Sequence, residues 1–329
     1  MQTFKRGARA LGWVVMAVGL FVGFDASAQE AWPSKPIRLV VPFTPGGVTD
    51  TSGRLIAEHL GKRLGQQVVI DNKPGASGNI GTSLVAQSAP DGYTLVLGFD
   101  GTMVINPHVF AKVPFDTLKD FAPVGKIGDA VLILVSNPGV PARTLQDVIA
   151  LSKTQPGGLS YGTSGTGGTP HIAGELFKQR TGANLTHIPY KGGGQALTDL
   201  LGGTIPLVYT AVAGAVQHVK SGKLHGVAVS SAQRAPSLPD VPTFIESGVA
   251  DFDINSWVGL LAPAKTPQAI VDNYNATLNK AMVNADLKDR FNKLGVEPHS
   301  STPAEFRTFL NNEKVKYSKL IADNNIKAE

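Results

Sequence analysis

Short β-rich runs alternate with helical patterns along nearly the whole chain, and few architectures accept that order. Residues 37–43 (IRLVVPF) predict a strand, and 50–64 carry Ile56, Leu60 and Leu64 at helical spacing. Runs at 68–70 and 94–98, with a helical stretch at 78–88 between them, complete a βαβαβ unit. A second series follows: strands at 131–135, 159–162, 185–189, 206–210 and 226–230, with helices at 145–154, 170–181 and 195–201. The tail returns to a strand at 257–261, then helices at 267–284 and 303–323. Near-continuous apolar strands such as 38–41 and 95–97 suit parallel sheets covered on both faces. The expectation is an α/β chain of two doubly wound, mostly parallel lobes joined by more than one crossing. Its length of 329 residues fits two domains.

The first residues stand apart from this pattern. Lys5, Arg6 and Arg9 precede an uncharged apolar run at 10–24, and Ala26-Ser27-Ala28 supplies the small residues that a signal peptidase reads. Fifteen apolar residues fall short of the roughly 20 that span a membrane. Cleavage after Ala28 would leave 329 − 28 = 301 residues and lower the net charge from +5 to 5 − 3 + 1 = +3. The expected divisions are therefore a leader at 1–28, a first lobe at 29–127, a second lobe at 128–231, and a return to the first lobe at 232–329. An exported chain follows, periplasmic where a cell has two membranes, without a lipid anchor because there is no Cys. The same lack removes disulfides, Cys-ligated metals and thiol nucleophiles. Mild basicity without Lys/Arg runs argues against a nucleic-acid partner.

Ligands of open α/β sheets sit beyond the carboxyl ends of strands. Three loops there share a composition: Pro45-Gly46-Gly47-Val48-Thr49-Asp50, Gly98-Phe99-Asp100-Gly101-Thr102, and Gly162 through His171. Each is rich in glycine and hydroxyls and runs towards a helix start, with Thr169-Pro170 a cap and first-turn pair. Glycine lets backbone N–H groups approach a ligand and the helix N-terminus adds partial positive charge, so an anion site forms without Lys or Arg. For any one loop, a tight βα turn explains the glycines as well; three loops in two lobes point to binding.

Enzyme motifs fail residue by residue. Gly162-Thr163-Ser164-Gly165-Thr166 lacks the last glycine of a nucleophile elbow, and no lysine completes a phosphate loop. The seven histidines show no metal spacing, and no carboxylate pair suggests acid–base work. No catalytic residue, metal or cofactor is expected. His171, beside the Gly-rich loop, is the histidine placed near a ligand, whereas His187 alternates in a strand and reads as packing.

Taken together, VPFTPGGVTD (41–50), NKPGASGNIG (72–81), APDGYTL (89–95), INPHVF (105–110), GGTPHIAGELF (167–177), HIPYKGGGQALTDLLGG (187–203) and SWVGLLAPAKTP (256–267) resemble the Bug/TctC family. These are the solute receptors of tripartite tricarboxylate transporters, and the likeness runs from Trp32 to the C-terminus. The resemblance implies a two-lobed flytrap of the periplasmic-binding-protein type that closes on a small organic carboxylate, held by backbone N–H groups, hydroxyls and waters. It implies delivery to integral-membrane permease subunits, and a monomer. By motif, Pro45, Gly46, Gly47, Asp50, Gly101 and Thr102 line the first-lobe side. Ser164, Gly165, Thr169 and His171 face them, with Phe43 and Tyr190 as walls. Asp50 also fits a capping role. At Tyr209-Thr210 many relatives carry an aromatic followed by Asp; Thr210 offers no charge to a ligand ammonium, which favours plain or aromatic acids over amino acids. Two other readings remain at this point: an exported hydrolase using Ser164 with His171 or His187, and a sensor domain that contacts a membrane kinase.

Overall fold

A computed structural model describes residues 32–190, 192–323 and 326; the expected leader lies outside the described residues. From Trp32 onward the chain forms one compact unit. Its first elements are β1 (Ile37–Val41), α1 (Val48–Leu64), β2 (Val68–Asn72), α2 (Asn79–Ala86) and β3 (Thr94–Phe99). A π-helical turn at Gly101–Ile105 runs into α3 (Asn106–Val109), followed by β4 (Phe121–Ala130) and β5 (Leu132–Ser136). Next come α4 (Leu145–Thr154), β6 (Leu159–Thr163), α5 (Thr169–Thr181), β7 (Leu185–Pro189), α6 (Gly193–Leu201), β8 (Leu207–Ala211), α7 (Val212–Lys220) and β9 (His225–Val229). The chain closes with β10 (Ser256–Pro263), α8 (Gln268–Met282), α9 (Ala285–Lys293), β11 (Val296–Pro298) and α10 (Pro303–Asp323).

The strands make two sheets, one per lobe. The first has the order β11-β4-β10-β3-β1-β2 and the second β7-β6-β8-β5-β9. Both are mixed, which departs from the mostly parallel sheets expected. Strands β1, β2 and β3 pair parallel, as do β6, β7 and β8. The exceptions are β5, which enters the second lobe against β8 and β9, β10, which returns to the first lobe against β3 and β4, and the short β11, which runs against β4 at the sheet edge. Continuous apolar runs report burial on both faces, which a central antiparallel strand shares with a parallel one. All eight residues of β10 are buried.

Each sheet carries apolar cores on both faces. Leu39, Val41, Leu95, Leu97 and Leu260 pack against α1 and α8 through Ile56, Leu60, Tyr274 and Leu278. Val40, Val96 and Leu261 pack on the opposite face against Phe306, Leu310 and Tyr317 of α10. In the second lobe Leu134, Tyr161, Leu207 and Tyr209 cover Leu176, Phe177, Phe244 and Phe252. The lobe limits shift accordingly. Residues 128–130 stay in the first sheet, because β4 runs to Ala130 beside β10 and β11. Residues 244–254 stay with the second lobe, whose core takes up Phe244, Val249, Phe252 and Ile254.

Candidate functional site: a backbone-lined cleft between the lobes

The first-lobe side starts where β1 ends. Gly46 takes φ +92°, a left-handed conformation that favours glycine, whereas Gly47 is at φ −78° and needs no such freedom. Thr44 to Gly47 are exposed, and a Cβ on Gly46 or Gly47 would meet nothing within 4 Å. The loop is held from behind by Asp50, only 2% exposed. Its carboxylate accepts from the Gly46 N–H (2.9 Å), from Arg54 Nε and Nη2 (3.0 and 3.1 Å) and from Asn72 Nδ2 (2.9 Å). Asn72 Nδ2 also donates to the Phe43 carbonyl at 3.0 Å. Burial pushes the Asp50 carboxyl upward, but the bonds from Arg54, Gly46 and Asn72 outweigh it and hold the group below the ordinary range. Asp50 thus shapes the loop, with both oxygens engaged inside the lobe.

A second loop joins it that sequence reasoning left off the site. Gly75, Ala76, Ser77 and Gly78 all have positive φ, at 131°, 47°, 53° and 90°. Two consecutive non-glycine residues in this region are costly and persist only where the surroundings enforce them. Here the Ser77 carbonyl accepts from Thr102 Oγ1 and Asn106 Nδ2, each at 3.0 Å. Thr102 is fully buried and acts through this bond. A Cβ on Gly78 would lie 2.4 Å from Thr102 Oγ1 and 3.2 Å from the Phe43 ring, which itself meets Phe99 edge-on at 5.4 Å. Proline and three glycines in 72–81 signal a turn; nothing in Ala76-Ser77 signals its left-handed backbone.

Across the cleft, Ser164 is exposed, and Gly165 (φ +144°) lies over the Tyr190 carbonyl. The Tyr190 ring packs under Gly162, and its hydroxyl donates to Asp199 at 2.8 Å. Support again comes from behind. His171, 6% exposed, accepts the Gly167 N–H on Nδ1 at 3.1 Å and stacks on His187 at 4.0 Å between centroids. His187 Nε2 meets Thr163 Oγ1 at 2.7 Å, while that hydroxyl donates to the Gly165 carbonyl at 2.8 Å. Burial and the neighbouring His171 push His187 down to about 3, and burial lowers His171 as well. Both rings are therefore neutral at pH 7. No hydrogen bond joins Ser164 to either ring among the described residues. Thr210 is 8% exposed at the end of β8 and faces the start of α6, its hydroxyl 3.2 Å from where a Cβ on Gly193 would lie.

The two sides touch. Ser77 Oγ donates to the Thr166 carbonyl at 3.2 Å, and a Cβ on Gly101 would stand 3.5 Å from Gly168 Cα. Gly167 (φ +82°) sits against Val109, Asn106 and Phe110 of the first lobe. The structure thus draws Phe43, Gly78, Gly101 and Thr102 together with the 164–169 loop, while the Tyr190 ring packs under Gly162 and Thr210 lies against Gly193 and Gly214. Asp50, Thr102, Thr169 and His171 are buried behind the loops. No side chain caps the N-termini of α1, α5 or α6, although the His171 and Ile172 N–H groups return to the Gly168 carbonyl. No Lys or Arg lies in 43–50, 75–78, 99–102 or 162–171. Among the described residues no group of His, Asp and Glu is placed to hold a metal ion, and no helix is long and apolar enough to cross a membrane.

Comparison with known proteins agrees with this architecture. Protein BugT of Bordetella pertussis is 34% identical over 319 residues, covering 95% of this chain and 98% of that one. A solved Rhodopseudomonas palustris protein with adipate superposes with a TM-score of 0.86 at 34% identity, over 90% of this chain and 99% of the other. MatC from Rhodopseudomonas palustris with bound malate gives 0.82 at 30% identity, over 88% and 100%. The model of the tripartite tricarboxylate transporter family receptor matches residues 53–326. With most of its length matched by that model and its relatives spanned end to end, the chain belongs to the tripartite tricarboxylate transporter receptor family.

Proposed function

We propose that this protein is an extracytoplasmic receptor that closes on a small organic carboxylate and hands it to the permease of a tripartite transporter. The observation that carries the reading is the cleft's lining. Uncapped helix starts and a strained left-handed loop face one another across it, with no Lys or Arg in 43–50, 75–78, 99–102 or 162–171. Such a surface stabilises an anion through N–H dipoles and discriminates against a neutral isostere, which cannot use the helix-end charge. Relatives with adipate and malate support the same ligand class. In this reading Gly46, Gly47, Ser77 and the 164–168 loop grip the carboxylate, and Phe43, Tyr190 and Thr210 read the rest of the molecule. The apolar run and small-residue site at 10–28 fit export, and the chain works as a monomer.

The test is a thermal-shift panel of adipate, malate, tricarboxylates and aromatic acids, each beside its amide. A ligand that binds only the folded state adds about 2.7 kcal/mol at a hundredfold excess over Kd. Acids that raise the melting temperature while their amides do not are the expected result. Amides that shift it equally would overturn the reading.

A further inference from the structure

The lobes also meet away from the cleft loops. Gly295 lies in the turn between α9 and β11, and its neighbours Phe291 and Val296 belong to the first-lobe core. Ala213 stands in the first turn of α7, beside Val212 and Ala215 of the second-lobe core. A Cβ on Gly295 would lie 2.7 Å from the Ala213 backbone nitrogen, 3.1 Å from its Cα and 3.2 Å from its Cβ. Gly295 takes φ +64°, a conformation that favours glycine on its own account. The turn thus rests directly on the backbone of α7.

This contact sits beside the place where the chain changes lobes. β4 ends at Ala130, opposite Val296, and β5 begins at Leu132, opposite Ala211. Between them the Val131 carbonyl accepts from the Val212 N–H at 2.9 Å. Gly295 precedes the partner of Ala130 and Ala213 follows the partner of Val131, so the two face each other across one residue of crossing chain. The return crossing is tied to the same point. Fully buried Ser230 accepts the Leu132 N–H on Oγ at 3.1 Å, gives its own N–H to the Leu132 carbonyl at 2.9 Å, and donates its hydroxyl to Asn255 Oδ1 at 3.1 Å. Both crossings are held at one pivot, and a small displacement at a pivot is magnified at the far ends of the lobes.

We infer that Gly295 is a positioning residue: the seat on which the second lobe rests, setting the angle between the lobes without touching a ligand. Carbon atoms in contact keep about 3.5 Å, so any side chain at 295 must push the start of α7 back by roughly half an ångström. Close-packed cores resist such a step, and the single crossing residue yields instead. The 75–78 and 164–168 loops set the contact on the cleft side; Gly295 sets it at the edge strand β11.

Two measurements on the ligand-free chain test this. The sequence has no Cys, so spin labels at Ile80→Cys and Gln195→Cys, exposed positions at the starts of α2 and α6, report the distance between the lobes. Gly295→Asn should shift the peak of that distance distribution, Asn being the side chain that tolerates positive φ best. Gly222→Asn has the same backbone demand at φ +71° with nothing within 4 Å of its Cβ, and should keep the wild-type distance. An unmoved peak in Gly295→Asn, or an equal shift in both variants, overturns the inference. A Gly295→Asn chain that unfolds while Gly222→Asn folds overturns it as well, because the contact would then be rigid core and not a seat that yields. In the unlabelled wild type, a nuclear Overhauser effect should join the Gly295 α-protons to the Ala213 amide proton; its absence removes the seat. Failure of the carboxylate panel leaves these results standing, since none of them uses a ligand.

Discussion

The loops 43–47 and 164–168 have the same task and opposite supports. Each carries glycines into the start of a long helix, and each is pinned by one buried side chain that holds a glycine N–H. In the first lobe the pin is a carboxylate, bridged by Arg54 and Asn72. In the second it is an uncharged imidazole, backed by a second ring and the Thr163 hydroxyl. One backbone geometry is thus enforced through two protonation chemistries. The ionic pin survives mild acid; the neutral one has to release its N–H as soon as the ring takes a proton on Nδ1.

The same substitution placed in both loops gives the widest contrast. Gly167→Val must adopt φ +82° while its Cβ stands 3.0 Å from Val109. Strain and overpacking together should cost about 3 kcal/mol, read as a lower urea midpoint, and carboxylate binding should vanish. An unchanged midpoint would show that the lobes do not meet there. Acid comes next. A histidine with a depressed folded pKa stabilises the fold fully above its unfolded value near 6.5, and this is lost as pH falls towards about 3. Between pH 6.5 and about pH 4.5 the wild type should lose roughly 2–3 kcal/mol, and His187→Gln should flatten that slope. A slope equal in both proteins would place the acid sensitivity outside the histidine stack.

Asp50→Ala should cost about 2 kcal/mol at pH 7, because the Gly46 N–H and Asn72 lose their acceptor while half-exposed Arg54 returns to water. Asp50 has a depressed pKa, so its contribution is present above about pH 4 and disappears only as pH falls through the folded value. The wild-type-to-variant difference should hold from pH 7 to about pH 5 and shrink in stronger acid. A gap that closes already at pH 6 would erase the distinction between the two pins. The smallest change in stability belongs to Gly47→Val, within about 0.5 kcal/mol, since φ −78° suits valine and the surroundings are open. Its carboxylate affinity should still fall. A melt as poor as that of Gly167→Val would mean the first loop is as tightly packed as the second.

Periodicity made the amphipathic elements readable: α4, α10 and β7 carry the limits that their patterns and flanking turns predict. Strand β4 (FAPVGKIGDA) hides behind Pro123, two glycines and Lys126, a composition that resembles a loop. Its place is decided by β10, which is distant in sequence. β11 has three residues and no period to read. At the cleft, glycine and hydroxyl clusters located the loops after β1, β3 and β6. The 75–78 loop escaped because its strain is imposed by Thr102 and Asn106 rather than by local residue type. Burial behind a loop, as at Asp50 and His171, is a matter of packing depth, which residue spacing does not encode.

The position of β10 has a consequence for the order in which this chain can assemble. The second sheet draws on one continuous stretch, β5 to β9, and the fully buried residues of its core end at Ile254. The first sheet holds an empty slot between β3 and β4 until residues 256–263 arrive. A chain emerging from its N-terminus therefore presents β1 to β4 early, with two strand edges exposed, and finishes the later lobe first. Pairing across so long a separation is slow and leaves open edges at risk of association in the meantime. The joining of β3 to β4 thus waits on a strand that is made only after the whole second sheet.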